Sequence, residues 1–314
     1  MVKVVDVKQT PEASAALPPH LAALEAEAIH IFREAMADAQ RPVLLFSGGK
    51  DSTVLAHLAV AAFHPSPAPM PLLHIDSTFE FAETIKFRDD LAEAWGFDLI
   101  VRRNEEGAHQ QIGPFTHGSA LYTEVMRTVP LKAALDELRS DVVFGGRVGT
   151  RRSRGPRSVS FRSARWVTGG SRARSGPSSG ASSIPAWGPA RRRGCSRCRT
   201  GPKPTSGPML GRGGCPWRPL YFAARRPTVV RDGDLLVVGD ERYPFEAGEA
   251  PVTRHVRFRT VGCWPVTGAI ESAATTLPEV LMETLSARFS ERKGRLIDTD
   301  DGGSLESKKR QGYF

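Results

Sequence analysis

No stretch of this 314-residue chain approaches the roughly 18 consecutive apolar residues that a membrane-crossing helix needs. The opening residues, Met1-Val2-Lys3-Val4-Val5-Asp6, also lack the layout of a secretory leader, so a cytoplasmic protein with no membrane contact is expected. Cysteine is scarce. Cys195, Cys198, Cys215 and Cys263 are too few and too clustered for a disulfide framework, in keeping with a reducing compartment. The P-loop pattern G-x-x-x-x-G-K-[ST] occurs nowhere.

Acidic residues are missing altogether between Arg147 and Arg218. Those 72 residues hold sixteen Arg and one Lys, with 13 Gly, 8 Pro and 12 Ser and few aliphatic side chains. Such a segment buries too little apolar surface to offset chain entropy, and disorder is expected. It also carries all of the net charge of +9, because the other 242 residues hold 26 basic and 34 acidic side chains. Basicity confined to one such segment argues against nucleic acid as a partner.

The flanks have the periodicity of folded sequence. Leu21, Leu24, Ala28, Ile29, Ile31 and Phe32 recur at helical spacing within 19–39, followed by a strand at 43–47 and a helix at 52–63. A strand at 72–75, a helix over 79–95, a strand at 98–102, a helix over 131–138 and the strand Val142-Val143-Phe144 complete the series. This alternation predicts an α/β fold, a parallel sheet with helices on both faces whose ligands sit at the carboxyl ends of the strands.

One strand ends in the hexapeptide Ser47-Gly48-Gly49-Lys50-Asp51-Ser52. Paired glycines let the backbone turn sharply and bring its N–H groups close to an anion. Lys50 adds a point charge, Ser47 and Ser52 add hydroxyl donors, and the following helix points its positive end at the same spot. Asp51 fits a helix N-cap. Phosphate oxygens are the expected guest.

S-G-G-K-D-S resembles the pyrophosphate-gripping loop of the ATP pyrophosphatase families, and other motifs narrow the resemblance. They include Pro71-Leu72-Leu73-His74-Ile75-Asp76, Phe87-Arg88-Asp89, Pro114-Phe115-Thr116-His117-Gly118-Ser119 and Phe144-Gly145-Gly146. Beyond the basic segment come Pro219-Leu220-Tyr221-Phe222-Ala223-Ala224, Arg257-Phe258-Arg259-Thr260-Val261-Gly262-Cys263-Trp264-Pro265 and the tail Lys308-Lys309-Arg310-Gln311-Gly312-Tyr313-Phe314. With these the chain is similar to the small, catalytic subunit of bacterial heterodimeric sulfate adenylyltransferase. The resemblance implies an adenine nucleotide alpha hydrolase-like fold of ATP pyrophosphatase type with a C-terminal extension. The expected organisation is an N-terminal tail, 1–18, a nucleotide-binding domain, 19–146, the basic segment, 147–218, and a family-specific region, 219–314.

The family continues after F-G-G with a run like R-R-D-E-E-K-S-R-A-K-E-R, which this chain lacks. Val148 to Val159, back-translated and read one base out of frame, yields that run. A frameshift, compensated just before Pro219, is therefore expected. Cys195-Ser196-Arg197-Cys198 and Arg191-Arg192-Arg193 lie inside this segment and are discounted as a metal site and a nucleic-acid patch.

The resemblance implies an enzyme that joins ATP and sulfate to give adenylyl sulfate and pyrophosphate, on the way to cysteine. Lys50 with Ser47, Gly48, Gly49, Asp51 and Ser52 would hold the pyrophosphate, Mg²⁺ would bridge its oxygens, and Asp51 would be the metal contact. Adenine is expected near His74, Ile75, Asp76 and Ser77, and ribose or phosphate near Gly145 and Gly146. Arg257 and Arg259 are the expected sulfate donors, because guanidinium forks match tetrahedral oxyanions, with His117 a weaker candidate. Cys263 and Trp264 read as packing residues. Making a sulfate–phosphate anhydride from ATP is uphill, so a large GTPase subunit, using GTP, is the implied partner. A phosphoadenylyl-sulfate reductase would end in E-C-G-L-H, which this chain lacks; a catalytically dead remnant that still binds nucleotide or partner is the other alternative.

Overall fold

The computed structural model describes residues 17–145, 147–148, 159–160, 215–231 and 233–286. Gly146, the discounted cysteine and arginine clusters, residues 1–16 and the Lys308–Phe314 tail lie outside the described residues.

Helix α1, Pro19–Ala37, precedes strand β1, Pro42–Leu45; α2, Lys50–Phe63, leads to β2, Leu72–Asp76; and α3, Ala82–Ala94, to β3, Leu99–Arg103. A longer crossover then holds α4, Glu105–His109, α5, Pro114–Thr123, a π turn, Glu124–Thr128, and α6, Val129–Glu137, before β4, Val142–Phe144. The four strands are parallel, in the order β3-β2-β1-β4. Chain order therefore reverses between β1 and β4, the switch point at which parallel sheets open a crevice at their carboxyl ends.

Strand alternation explains why both faces are covered. Leu44, Leu72 and Phe144 pack with Phe32, Leu55, Leu58 and Leu91 of α1 to α3. Their neighbours Val43, Leu73 and Val143 point the other way, onto Leu131, Ala134 and Leu135 of α6. The crossover over 105–128 was not expected from sequence. Its α4 is capped by Asn104, whose Oδ1 accepts from the Gly107 N–H at 3.1 Å, and α5 is broken at Gly118 by a φ of 75°.

A short antiparallel pair, β5, Arg147–Val148, with β6, Val159–Ser160, follows the sheet. Beyond a 3₁₀ turn, Pro219–Tyr221, strands β7, Ala224–Arg231, β8, Asp234–Val237, β9, Val252–Arg257, and β10, Gly268–Glu271, close an antiparallel barrel in the order β10-β8-β7-β9. Leu220, Val229, Leu236, Val256, Phe258 and Trp264 fill it, and Phe79, Phe81, Tyr122 and Met126 of the α/β half join the same cluster. Helix α7, Leu277–Ser286, comes last.

At the end of the basic segment, Cys215 and Trp217 pack in the core with Leu21 and Phe32. Asp51 is not the N-cap of α2: Gly49 holds that position in an extended conformation, and Asp51 stands inside the first turn.

Candidate functional site

β1 delivers the loop at 47–52 to the switch point. Gly48 takes a φ of +64°, a left-handed conformation that glycine adopts without strain, and the chain then enters α2. Ser52 Oγ and Thr53 Oγ1 donate to the Gly49 carbonyl at 2.9 and 3.0 Å, which locks the first turn. Ser47 Oγ lies 3.3 Å from Ser52 Oγ and accepts from the Gly49 N–H at 3.5 Å.

The barrel half reaches back over this loop. The Lys50 N–H donates to Tyr221 Oη at 2.9 Å, and Lys50 Nζ donates to the Arg259 carbonyl at 3.1 Å. Two motifs about 200 residues apart, the glycine loop and R-F-R-T, thus meet through Lys50. Arg218 packs against the same loop: a Cβ built on Gly48 would lie 3.8 Å from its Cζ and Nη2. It donates through Nη1 to Thr84 Oγ1 at 2.5 Å.

The other expected residues divide. Gly145 ends β4 beside the loop's strand, where an added Cβ would lie 3.5 Å from Leu45 Cδ1. At the end of β2, Ile75 and Asp76 are half-buried, and Asp76 Oδ1 accepts from the N–H of left-handed Thr78 at 2.8 Å. The side chains of His74 and Ser77, expected beside adenine, are buried and engaged by protein partners. His74 Nδ1 donates to the Phe46 carbonyl at 2.9 Å, and its Nε2 lies 3.0 Å from Glu80 Oε2. Ser77 Oγ lies 2.9 Å from Cys263 Sγ.

Arg257, an expected sulfate donor, is engaged elsewhere. It is buried, donates from Nε to Glu283 Oε2 at 2.7 Å and to Ser272 Oγ at 3.2 Å, and its Nη2 lies 2.6 Å from Glu283. A guanidinium held by a carboxylate offers little to a sulfate, so this side chain fastens α7 to the barrel instead. Arg259, two residues on and past the end of β9, is half-buried, and its Nε has no acceptor among the described residues. His117 is exposed, with Nδ1 2.7 Å from Thr116 Oγ1.

Cys263 is more than packing. Its Sγ lies 2.9 Å from each of Ser77 Oγ, Tyr122 Oη and Arg127 Nη2, and the Tyr122 hydroxyl proton goes to the Ser77 carbonyl at 2.8 Å. Glu80 sits beside this cluster. Burial pushes its carboxyl up, but His74, Arg127 and Arg218 together outweigh that and hold it below the usual range. Sequence reasoning missed Tyr221 and Glu80 as parts of the site; only Tyr221 carried a signal, through its quoted motif.

Comparison with known proteins agrees with this architecture. The phosphoadenosine phosphosulfate reductase domain family matches residues 41–163. A sulfate adenylyltransferase subunit 2 from Methylorubrum populi is 49% identical over 94% of this chain and 96% of its own length. The chain belongs to that family. A sulfate adenylyltransferase subunit 2 from Geobacter metallireducens is 46% identical over 94% of this chain and 98% of its own. A phosphoadenylyl-sulfate reductase structure from Candida auris has 17% identity and a TM-score of 0.33 over 42% of this chain and 68% of that one, too slight a likeness to argue from. Family membership favours sulfate adenylyltransferase over the reductase reading.

Proposed function

We propose that this chain is the ATP-handling subunit of a sulfate adenylyltransferase, joining a sulfate oxygen to the α-phosphorus of ATP and releasing pyrophosphate. The observation that carries the reading is the convergence at Lys50, where the glycine loop meets Arg259 of the R-F-R-T motif within a family of that name.

In the in-line displacement, one bond forms between sulfate oxygen and α-phosphorus as the bond from that phosphorus to the bridging oxygen breaks. Charge moves onto the leaving pyrophosphate, so its stabilisation is the main task. Lys50 and the loop N–H groups stand where that charge would develop, and the N-terminus of α2 adds its dipole. Arg259 is the better placed of the two expected sulfate donors, because Arg257 is committed to Glu283. Its fork and the enzyme's grip on both anions would supply proximity, without a covalent intermediate.

The residues of this site are compatible with Mg²⁺, which would be held by Asp51 together with substrate oxygens and would supply positive charge there. No cluster of three or more His, Cys, Asp or Glu that could hold a metal exists among the described residues, whereas Mg²⁺ is commonly held by one or two carboxylates together with substrate oxygens. Exposed Asp51, in the first turn of α2, is the carboxylate assigned to it. Bound there, the ion would neutralise the departing phosphates.

No helix among the described residues is long and apolar enough to cross a membrane; we infer from the family resemblance a cytoplasmic reaction driven by a GTP-hydrolysing large subunit. The test is ATP–pyrophosphate exchange by the full chain with sulfate and that subunit. Sulfate-dependent exchange, weak in this chain and stronger once the family's R-R-D-E-E-K-S-R run is restored, is the expected outcome; nucleotide binding without exchange in either chain would instead favour a remnant that binds but does not turn over.

A further inference from the structure

β2 buries a histidine where its own pattern calls for an apolar side chain. Leu72 and His74 point to the same face of the sheet, Leu72 into the core beneath α2 and α3, and His74 is 1% exposed. A buried imidazole is unfavourable unless its nitrogens are engaged, so the partners of this ring show what it is kept for.

Its first partner is the peptide at which the chain leaves the sheet. The Phe46 N–H donates to the Leu73 carbonyl at 2.9 Å, and the Phe46 carbonyl accepts from His74 Nδ1, also at 2.9 Å. A carbonyl only accepts, so Nδ1 carries a proton. Both backbone polar groups of Phe46 are thereby tied to β2. The next residue, Ser47, is exposed and opens the turn in which Gly48 takes its φ of +64°.

The second partner is Glu80, in the connection between β2 and α3. Its Oε2 lies 3.0 Å from His74 Nε2, at an angle short of a good hydrogen bond, and its side chain is 8% exposed. Its other oxygen, Oε1, accepts from Ser77 Oγ at 3.4 Å. One proton lies between Nε2 and Oε2 whichever atom carries it, so the ring is held from both nitrogens in a single orientation. Every group in this series belongs to residues 46–80, within the α/β half.

We propose that His74 is a positioning residue of the phosphate site, with Glu80 as its support: the ring fixes the Phe46 carbonyl and so the direction in which the loop at 47–52 leaves β1. The inference rests on the reading of that loop as a phosphate site, and it assigns neither side chain a contact with the anion. Donors that must meet phosphate oxygens tolerate misplacement of only about 0.5 Å, which is why the peptide before the turn needs an anchor.

The experiment titrates pyrophosphate into the full chain and its variants by calorimetry, with a thermal melt of each. His74→Leu should weaken binding about tenfold or more, and Glu80→Leu about threefold or more. His74→Asn, whose amide presents an N–H near the place of Nδ1, should bind within about threefold of the unaltered chain. Leu91→Ala, in the core on α3, should melt lower yet bind pyrophosphate as before, because general destabilisation well below the melt does not move the loop. An affinity unchanged by His74→Leu while Lys50→Met abolishes binding overturns the proposal and leaves the loop reading intact. Failure of His74→Asn to restore affinity, or an equal loss in Leu91→Ala, also overturns it. Unchanged affinity in Glu80→Leu removes Glu80 from it. If the unaltered chain does not bind pyrophosphate, both readings fall. Should the His74 variants not fold, ring ¹⁵N NMR of the unaltered chain decides: a protonated Nδ1 whose signal shifts on addition of pyrophosphate is expected, and a signal that does not move overturns the proposal.

Discussion

Lys50 is the residue on which the loop and the barrel converge, and its replacement separates binding from chemistry. Lys50→Met should reduce sulfate-dependent ATP–pyrophosphate exchange by about 100-fold or more, the scale seen when one charge-stabilising donor is removed. Gly48→Ala tests the loop's shape: at a φ of +64° an alanine costs roughly 1–2 kcal/mol of strain, to be read as a lowered melting temperature. His57, on α2, tests the core beneath. Burial lowers its pKa from 6.5 to about 4, so the folded state holds it neutral where the unfolded chain would protonate it. Stability from this group is complete above about pH 6.5 and declines as pH falls toward 4, by about 3 kcal/mol in all. His57→Gln should flatten that part of the pH–stability curve in urea melts. At this scale the sequence was read well where residue type alone decides, as in Ser47-Gly48-Gly49-Lys50. It misled where partners decide: nothing local tells that Arg257 meets Glu283, 26 residues on.

At the scale of elements, the α/β half was legible because each strand is a short apolar run beside a helix of clear periodicity. The barrel was not. β7 reads Ala-Arg-Arg-Pro-Thr-Val-Val-Arg, with a proline and three arginines, and its strand character comes from pairing with β8 and β9. The barrel's packing is tight at one point that no local pattern announces: a Cβ on Gly239 would lie 2.4 Å from the Trp264 ring. Gly239→Ala should therefore cost about 1–3 kcal/mol through overpacking, measured by denaturant titration. The fastening of α7 gives a second test. Glu283→Gln leaves the buried Arg257 guanidinium without its charge partner; Glu283 is 38% exposed, so solvent screening reduces the loss to about 2 kcal/mol. Glu271→Gln, removing an exposed partner of Arg254, should cost under about 1 kcal/mol in the same melts.

For the molecule as a whole, the question is whether 147–218 is what the gene encodes. Resequencing codons 140–222 should recover a reading with R-R-D-E-E-K-S-R after Phe144-Gly145-Gly146. A corrected chain with its GTPase partner should then show sulfate-dependent exchange well above that of the present sequence. If the present reading is confirmed, exchange should be weak or absent, because the charged run that the family resemblance leads one to expect after Phe144-Gly145-Gly146 is missing. A change of frame of that kind would be legible in sequence because it rewrites composition as well as order. The joining of the two flanks into one site was not, because it depends on contacts between residues far apart in the chain.

The hydrogen bonds from Lys50 to Tyr221 and Arg259 span 171 and 209 residues. During synthesis the loop therefore leaves the ribosome long before the groups that brace it. At about 5–20 residues per second, the interval from Lys50 to Arg259 is roughly 10–40 s. For that time the nascent chain carries a glycine loop lacking its barrel-side braces, so its full grip on a nucleotide is expected to develop late in translation.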